Sequence, residues 1–503
     1  RTGTERGSER VYTPKTPTGT DTMNTFPTLE IATGAPDTTG ASFILCIASS
    51  VEAAAAFAPS TPVDLELLGS GATPGKVEST LVRVDSDRVK VGLGLIPTEC
   101  NRHNCPIRPD SVTAMVSSFL PKIQGARLTI LFALDDPKYD IAAVNAVSRS
   151  IPLYNSHMER AKFEYAVKLV LSASEQTVEH LQRLADNVRA AAALVDAPTS
   201  EMNCNELVAA AEAVAAKVGA SVQVIRGREL EEKGYGGLWG VGKGSSQPPA
   251  LVILSHEPAG AEKTVCLVGK GITFDTGGNQ IKPTTAMPGM KRDMGGSAGI
   301  LHAFSAAVAA GYPNRLHALL CVAENSVDGM SFRPDDVLYL YSGLSVEINH
   351  TDAEGRLVLG DGVAHAVKHL NPDAVVTMAT LTGAQGVSTG KRHAALVSNC
   401  ETLESNAVVT GRFTGDLCHP LLFCPEMLNE EFASEIADMK NSVGNSANAG
   451  SSCAANFIAR HMGDFLSRGK WIHVDIAYPS FIGDRGSGYG VSLLSTLLLQ
   501  DKF

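Results

Sequence analysis

The run VVTMATL, residues 375–381, is apolar on both faces of an extended chain. A strand of that kind needs cover on two sides, the condition of a mostly parallel sheet clad by helices rather than of a sheet with one wet face. Other short β-rich runs accompany it: ALVILSH (250–256), KTVCLVGKG (263–271) and RLHALLCVAEN (315–325). Helical stretches alternate with them, among them LVAAAEAVAAKV (207–218) and the segment from Leu301 to Ala310, which Gly311 would stop. The alternation predicts a large α/β unit over residues 195–503 whose mostly parallel sheet is covered by helices.

A smaller α/β domain is predicted over residues 23–176, from the runs LEIAT, SFILCIA, RVKVGLGL and RLTILFAL and the turns and helical stretches between them. Nothing in it carries obvious chemistry. Apolar residues at helical spacing predict a linker helix over 177–194, closed by the breaker and cap residues Asp196, Pro198 and Ser200. Residues 1–22 have almost nothing to bury and read as a disordered extension; Glu5, Glu9 and Asp21 interrupt the acid-poor character of an organelle-targeting peptide. A length of 503 residues fits two or more domains, and 44% apolar with 19% charged residues is ample for a large core.

A formal charge of −11 argues against general nucleic-acid binding, which needs clustered Lys and Arg. The ten cysteines are scattered; Cys100 and Cys105, with His103 between them, resemble half of a zinc site without a second half nearby. Reduced thiols, the lack of a charged-then-apolar leader and the lack of a bilayer-length apolar run predict a cytoplasmic protein that is not held in a membrane.

Three stretches concentrate unusual residues. VGKGITFDTGGNQIKP holds Lys270, Asp275 and Lys282; MKRDMGG holds Asp293 just before a helix; NHTDAEGRLVLGDG holds Asp352, Glu354 and Arg356. Each follows or ends a predicted strand, and ligands of open α/β sheets bind at the carboxyl ends of strands. In the third stretch, alternation along an extended chain would point Asp352, Glu354 and Arg356 the same way, with Gly355 leaving the backbone open to a ligand. Four carboxylates cannot crowd together unless protonated or paired, and two divalent cations would balance them. A pair of ions about 3.5–4 Å apart would suit hydrolysis by a water held between them, leaving Lys282 and Arg356 to stabilise an oxyanion and hold an anion. Alternatives stand beside this reading. DAEGR alone fits a surface turn with an internal salt bridge, and GKGITFDTGG is a Gly-rich loop that lacks the order of a phosphate-binding one. Spacing and charge allow a metal site and name no reaction.

Taken together, VGKGITFDTGG, the Lys282 segment, MKRDMGG and TDAEGRL resemble the leucine aminopeptidase family, the two-metal, hexamer-forming cytosolic type. The resemblance is dense from about Asp196 to Tyr478 and faint over the N-terminal domain. It implies a hydrolase that removes the first residue, leucine-like by preference, from peptides with a free N-terminus. By the same resemblance Lys270, Asp275, Asp293, Asp352 and Glu354 ligate two divalent ions, zinc or manganese with magnesium or cobalt as further candidates, and Asp275 and Glu354 bridge them. Lys270 would ligate as the neutral amine, although an ordinary lysine, with a pKa of about 10.4, is charged at neutral pH. Arg356 resembles the arginine that holds a bicarbonate general base, and Lys282 the lysine that stabilises the gem-diolate. Met290, Thr380, Leu381, Gly383 and Ala477 resemble positions around the first side chain and the peptide backbone; for Met290 and Ala477 core packing is the competing reading. The family usually has Asn immediately before its Thr-Asp-Ala-Glu run, where this chain has His350, on the leaving-group side. A homohexamer of two trimers is implied as the assembly. DNA binding and a dipeptidase restricted to short thiol-containing peptides are the competing functions; the acidic balance disfavours the first, and the length of accepted peptide separates the second.

Overall fold

In a computed structural model that describes residues 26–157, 164–445 and 447–503, two large sheets are formed. The expected extension over 1–22 lies outside the described residues. The first sheet contains β1 (Thr28–Thr33), β2 (Phe43–Ala48), β3 (Val77–Val84), β4 (Asp87–Leu95), β5 (Arg127–Phe132) and β6 (Ala166–Leu171), in the order β1-β6-β5-β2-β4-β3. All neighbours are parallel except the β3–β4 pair. The second contains β7 (Ser221–Arg226), β8 (Ala250–His256), β9 (Thr264–Asp275) and β10 (Arg315–Asn325) on one side. After a small ribbon of β11 (Val337–Tyr339), β12 (Ser345–Glu347) and β16 (Met439–Lys440), it is completed by β13 (Ala374–Ala379), β14 (Ala394–Ser398), β15 (Cys418–Pro420) and β17 (Lys470–Asp475). Its order is β15-β14-β17-β13-β9-β10-β8-β7, and the central four strands, β17, β13, β9 and β10, run parallel.

Burial explains the parallel centre. Every residue of β13 is buried, and along β9 successive side chains enter opposite cores. Val265 and Leu267 face the helices Cys204–Val218, Gly295–Ala309 and Val491–Leu499; Cys266 and Val268 face Gly236–Gly242, Gly355–His369 and Gly450–Arg460. Period-two alternation between two apolar layers makes a run look uniformly apolar in sequence. The helix Gly295–Ala309 lies so close on the sheet that a Cβ on Gly296 would stand 2.2 Å from the Met378 carbonyl oxygen.

The helix Val178–Asp196 joins the two parts, with Thr177 accepting from the His180 amide at 3.2 Å as its N-cap. Leu181, Leu184 and Ala185 enter the core of the first sheet, and Val195 that of the second. Among the described residues no helix is long and apolar enough to cross a membrane, and all ten cysteines are free.

A buried ion pair pins the smaller part to the larger. Arg149 donates to Asp416 and, through Nε, to the Ser487 carbonyl at 2.9 Å. Asp416 also accepts from the amides of Gly490 (3.1 Å) and Leu493 (3.0 Å) at the start of the last helix. Removing one member of such a pair strands a charge away from water, which costs more than the pair itself contributes. Arg149→Ala is expected to lower the unfolding free energy by about 3–5 kcal/mol, read as a lower urea midpoint at constant m-value; a loss below about 1 kcal/mol would mean that the pair holds nothing.

Candidate active site

The carboxyl ends of the central strands meet the three unusual stretches. Lys270 shares a face of β9 with Cys266, Val268 and Ile272, so its stem lies among apolar side chains and only its head reaches the strand end. Asp275 is the last residue of β9 and pairs in register with Asn325, the last of β10. Asp293 follows a single 3₁₀ turn, Met290–Arg292, and precedes the helix Gly295–Ala309. Glu354 stands at the N-cap of Gly355–His369 with helical backbone angles. The 352–356 segment is therefore a turn entering a helix, not the extended strip that alternation predicted. Its groups converge because the chain coils there.

Lys270 Nζ lies 2.8 Å from Asp293 Oδ2 and 2.9 Å from Glu354 Oε1, and donates to the Thr380 carbonyl at 3.1 Å. Lys282 Nζ lies 2.7 Å from Asp275 Oδ2 and also pairs with Asp352 Oδ1. One carboxylate oxygen from each of Asp275, Asp293 and Glu354 falls within 4.8 Å of the others, close enough to hold a metal ion. Asp352 joins this group through Lys282. Asp293 Oδ2 and Asp352 Oδ1 are buried and accept no well-oriented hydrogen bond; each meets only an ammonium group. With both lysines charged and all four carboxyls ionised, two negative charges would be left uncompensated in the cluster. Oxygen donors and one amine with a surplus of negative charge fit divalent cations.

The titration behaviour follows from burial. Desolvation, reinforced at Asp275 by Glu354, raises the Asp275 carboxyl to about 7; Asp293 is raised to about 8, despite Lys270 opposing the shift. Burial also disfavours the Lys270 ammonium, but Asp293, Glu354 and Asp275 outweigh it and hold its pKa above the ordinary lysine value. Glu354 goes the other way: Lys270 and Lys282 overcome its burial and keep it ionised. Burial draws the Arg356 guanidinium down to about 10. Its Nη1 donates to the Asn441 carbonyl at 3.0 Å, while its buried Nε donates to nothing among the described residues.

One cavity of about 750 Å³ opens on this cluster, and all twelve residues singled out in the sequence line it: Lys270, Asp275, Lys282, Met290, Asp293, Asp352, Glu354, Arg356, Thr380, Leu381, Gly383 and Ala477. His350 lines it too, its Nδ1 accepting from the Asp352 amide at 3.2 Å. Sequence reasoning passed over three supports. Asn325 Nδ2 donates to Asp275 Oδ1 (2.9 Å) and to the Thr351 carbonyl (3.1 Å). Asp475 accepts from the amides of Leu381 (3.0 Å) and Ala477 (3.2 Å) and from Thr382 Oγ1 (2.6 Å), tying two cavity walls together. Asn441 accepts from the amides of Asn349 (3.0 Å) and His350 (3.1 Å). The available signal was a polar residue ending an apolar strand, as in RLHALLCVAEN and WIHVD.

A two-part α/β chain with an acidic, lysine-bearing centre at the carboxyl edge of its larger sheet has the donor set of a metal-dependent enzyme. Residues 189–495 match the cytosol aminopeptidase family, catalytic domain, and residues 70–161 match the M17 aminopeptidase N-terminal domain 2. The chain belongs to the M17 cytosol (leucine) aminopeptidase family, which is metal-dependent, and is a hydrolytic aminopeptidase. It is 46% identical to the probable aminopeptidase NPEPL1 of Homo sapiens over 413 residues, 80% of this chain and 78% of that one. It is 47% identical to leucine aminopeptidase 1 of Caenorhabditis elegans over 319 residues, 63% of this chain and 65% of that one. The leucyl aminopeptidase of Trypanosoma brucei, solved in complex with bestatin, superposes with a TM-score of 0.89 at 34% identity, covering 94% of this chain and 96% of that one.

Gly355 explains how Lys270 reaches the cluster. A Cβ there would stand 2.6 Å from Lys270 Cε and 2.7 Å from Nζ, so the lysine head occupies the space a side chain would need. Gly355→Ala is expected to displace the ammonium group and weaken Mn²⁺ uptake by about 10–100-fold, measured by equilibrium dialysis. Unchanged uptake would detach Lys270 from metal binding.

Proposed function

We propose that this chain removes leucine-like residues from peptides with a free N-terminus by hydrolysis at a two-metal centre that Lys270, Asp275, Asp293, Asp352 and Glu354 would hold. The observation that carries this reading is the buried convergence of Asp275, Asp293 and Glu354 on Lys270 at the floor of the cavity. Manganese or zinc suits the donor set, and magnesium or cobalt would also be accepted. Bound, such ions act as Lewis acids and lower the pKa of a coordinated water toward neutrality.

The remaining roles belong to the chain's own groups. Lys270 must surrender its proton to ligate, so metal uptake would release protons. Lys282, now paired with Asp275 and Asp352, would be released if cations took those carboxylates and would then donate to the carbonyl oxygen as it becomes the gem-diolate. Arg356 would hold a bicarbonate, which supplies a general base, and its buried, unpartnered Nε is a donor that such an oxyanion would satisfy. An unblocked amino terminus suits this acidic centre, and acylation would remove the group recognised. Met290, Leu381, Gly383 and Ala477, with Thr380, would frame the first side chain and favour apolar ones. We assign the catalytic unit to residues 195–503 behind a linker helix over 177–194, a cytoplasmic location, and a homohexamer of two trimers, which light scattering would test.

Two measurements test the central reading. Metal-loaded protein should release leucine from an unblocked peptide and not from its N-acetylated counterpart, and chelation should abolish turnover; inactivity toward every unblocked substrate in Mn²⁺, Co²⁺ and Zn²⁺ would reject it. Lys282→Ala should retain metal while kcat drops by about 10²–10³. Loss of metal with unchanged turnover per occupied site would contradict the role given to Lys282.

A further inference from the structure

Arg292 has no part in the chemistry described above, yet it lines the same cavity. It ends the 3₁₀ turn Met290–Arg292, one residue before Asp293. Its Nε donates to the Gly289 carbonyl at 2.7 Å, and its guanidinium carbon stands 3.8 Å from the centroid of the Phe481 ring, another lining residue. These two contacts hold the planar group in one orientation. They leave its terminal nitrogens uncommitted: among the described residues no carboxylate comes within ion-pair distance of Arg292, in contrast to Lys270 and Lys282. Asp484, an exposed residue, is the acidic group whose field reaches it. A half-buried, oriented and unpaired cation in the wall of a substrate cavity acts on whatever charge enters.

We infer that Arg292 is a specificity-determining residue, an electrostatic filter that makes the first-side-chain pocket reject lysine and arginine while accepting neutral side chains and those ending in a carboxylate or amide oxygen. The inference rests on the reading of Met290, Gly383 and Ala477 as walls of that pocket, since Arg292 shares the wall with Met290. The physical reason is asymmetric. A cationic side chain would lose its hydration beside a fixed like charge and gain no partner, whereas glutamate would meet a guanidinium whose stacking and carbonyl contacts already fix its plane. The apolar lining still favours norleucine- or leucine-like side chains, so the filter acts on top of a hydrophobic preference.

The test uses full-length, metal-loaded protein and four substrates differing only in the first residue: norleucine, lysine, glutamine and glutamate. Norleucine and lysine share a carbon chain, so their kcat/KM ratio isolates the charge. Wild type should prefer norleucine to lysine by at least about tenfold. Arg292→Met should narrow that ratio by about tenfold and lower the glutamate-to-glutamine ratio. Arg292→Lys, which keeps the charge but not the planar stacking, should retain the norleucine-to-lysine ratio. A purely structural role would instead depress all four substrates in proportion in both variants, and that result would overturn the inference. Calorimetric binding of free norleucine and free lysine to wild type needs no variant, and equal affinities would also overturn it. A wild type that cleaves none of the four rejects the aminopeptidase reading itself, whereas turnover with ratios unmoved by Arg292→Met rejects only the filter.

Discussion

Three buried carboxylates and a half-buried fourth, gathered around two ammonium groups, are the arrangement on which the rest of this structure turns. Taking Asp275, Asp293 and Glu354 out of water is costly, and Lys270 and Lys282 offset only part of that cost. Fully ionised, the site would hold unsatisfied negative charge, and burial accordingly pushes two of its carboxyls far above their ordinary range. Such a site needs a rigid frame, since mobile side chains would turn out to solvent. The frame is the carboxyl edge of four parallel strands sealed between two apolar layers.

The same edge builds the cavity. β9 delivers Lys270 and Asp275, β10 delivers Asn325 to steady Asp275, and β17 delivers Asp475 to tie the loop after β13 to its own. Among the described residues Asp475 forms no hydrogen bond or ion pair with the acidic cluster, yet it fixes the backbone on which Leu381 and Ala477 face the cavity. Polar strand ends thus do two jobs: some carry the reacting groups, and others hold the walls. Arg149 and Asp416 extend this economy of buried charge to the joint between the smaller and larger parts, where one ion pair also anchors the start of the final helix.

Three of the four central strands, β13, β9 and β10, were readable because burial on two faces leaves an unmistakable apolar run, as in VVTMATL and KTVCLVGKG. Among the edge strands LEIAT, which became β1, was read, but others were not. VESTLVRV, which became β3, exposes much of its surface and alternates with Glu78, Ser79 and Arg83, so local pattern did not separate it from a loop. The cluster residues were readable as an accumulation of Asp, Glu and Lys beside glycines in three places. Their manner of convergence was misjudged at 352–356, because an extended strip and a turn entering a helix both bring Asp352, Glu354 and Arg356 near one another.

By itself, the sequence determined the layered α/β character, through residues that can only be stable between two apolar layers, and the inventory of charged groups that no ordinary core would tolerate. Only the tertiary structure decided which charges meet. Lys270 finds Glu354 across 84 positions of chain because Gly355 leaves room for its head. Asp475 reaches Leu381 because β17 and β13 are neighbours in one sheet. Arg292 stacks on Phe481, far along the chain, and among the described residues forms no ion pair. Those pairings are long-range, set by register and close approach of backbone, and no local pattern of residues encodes them.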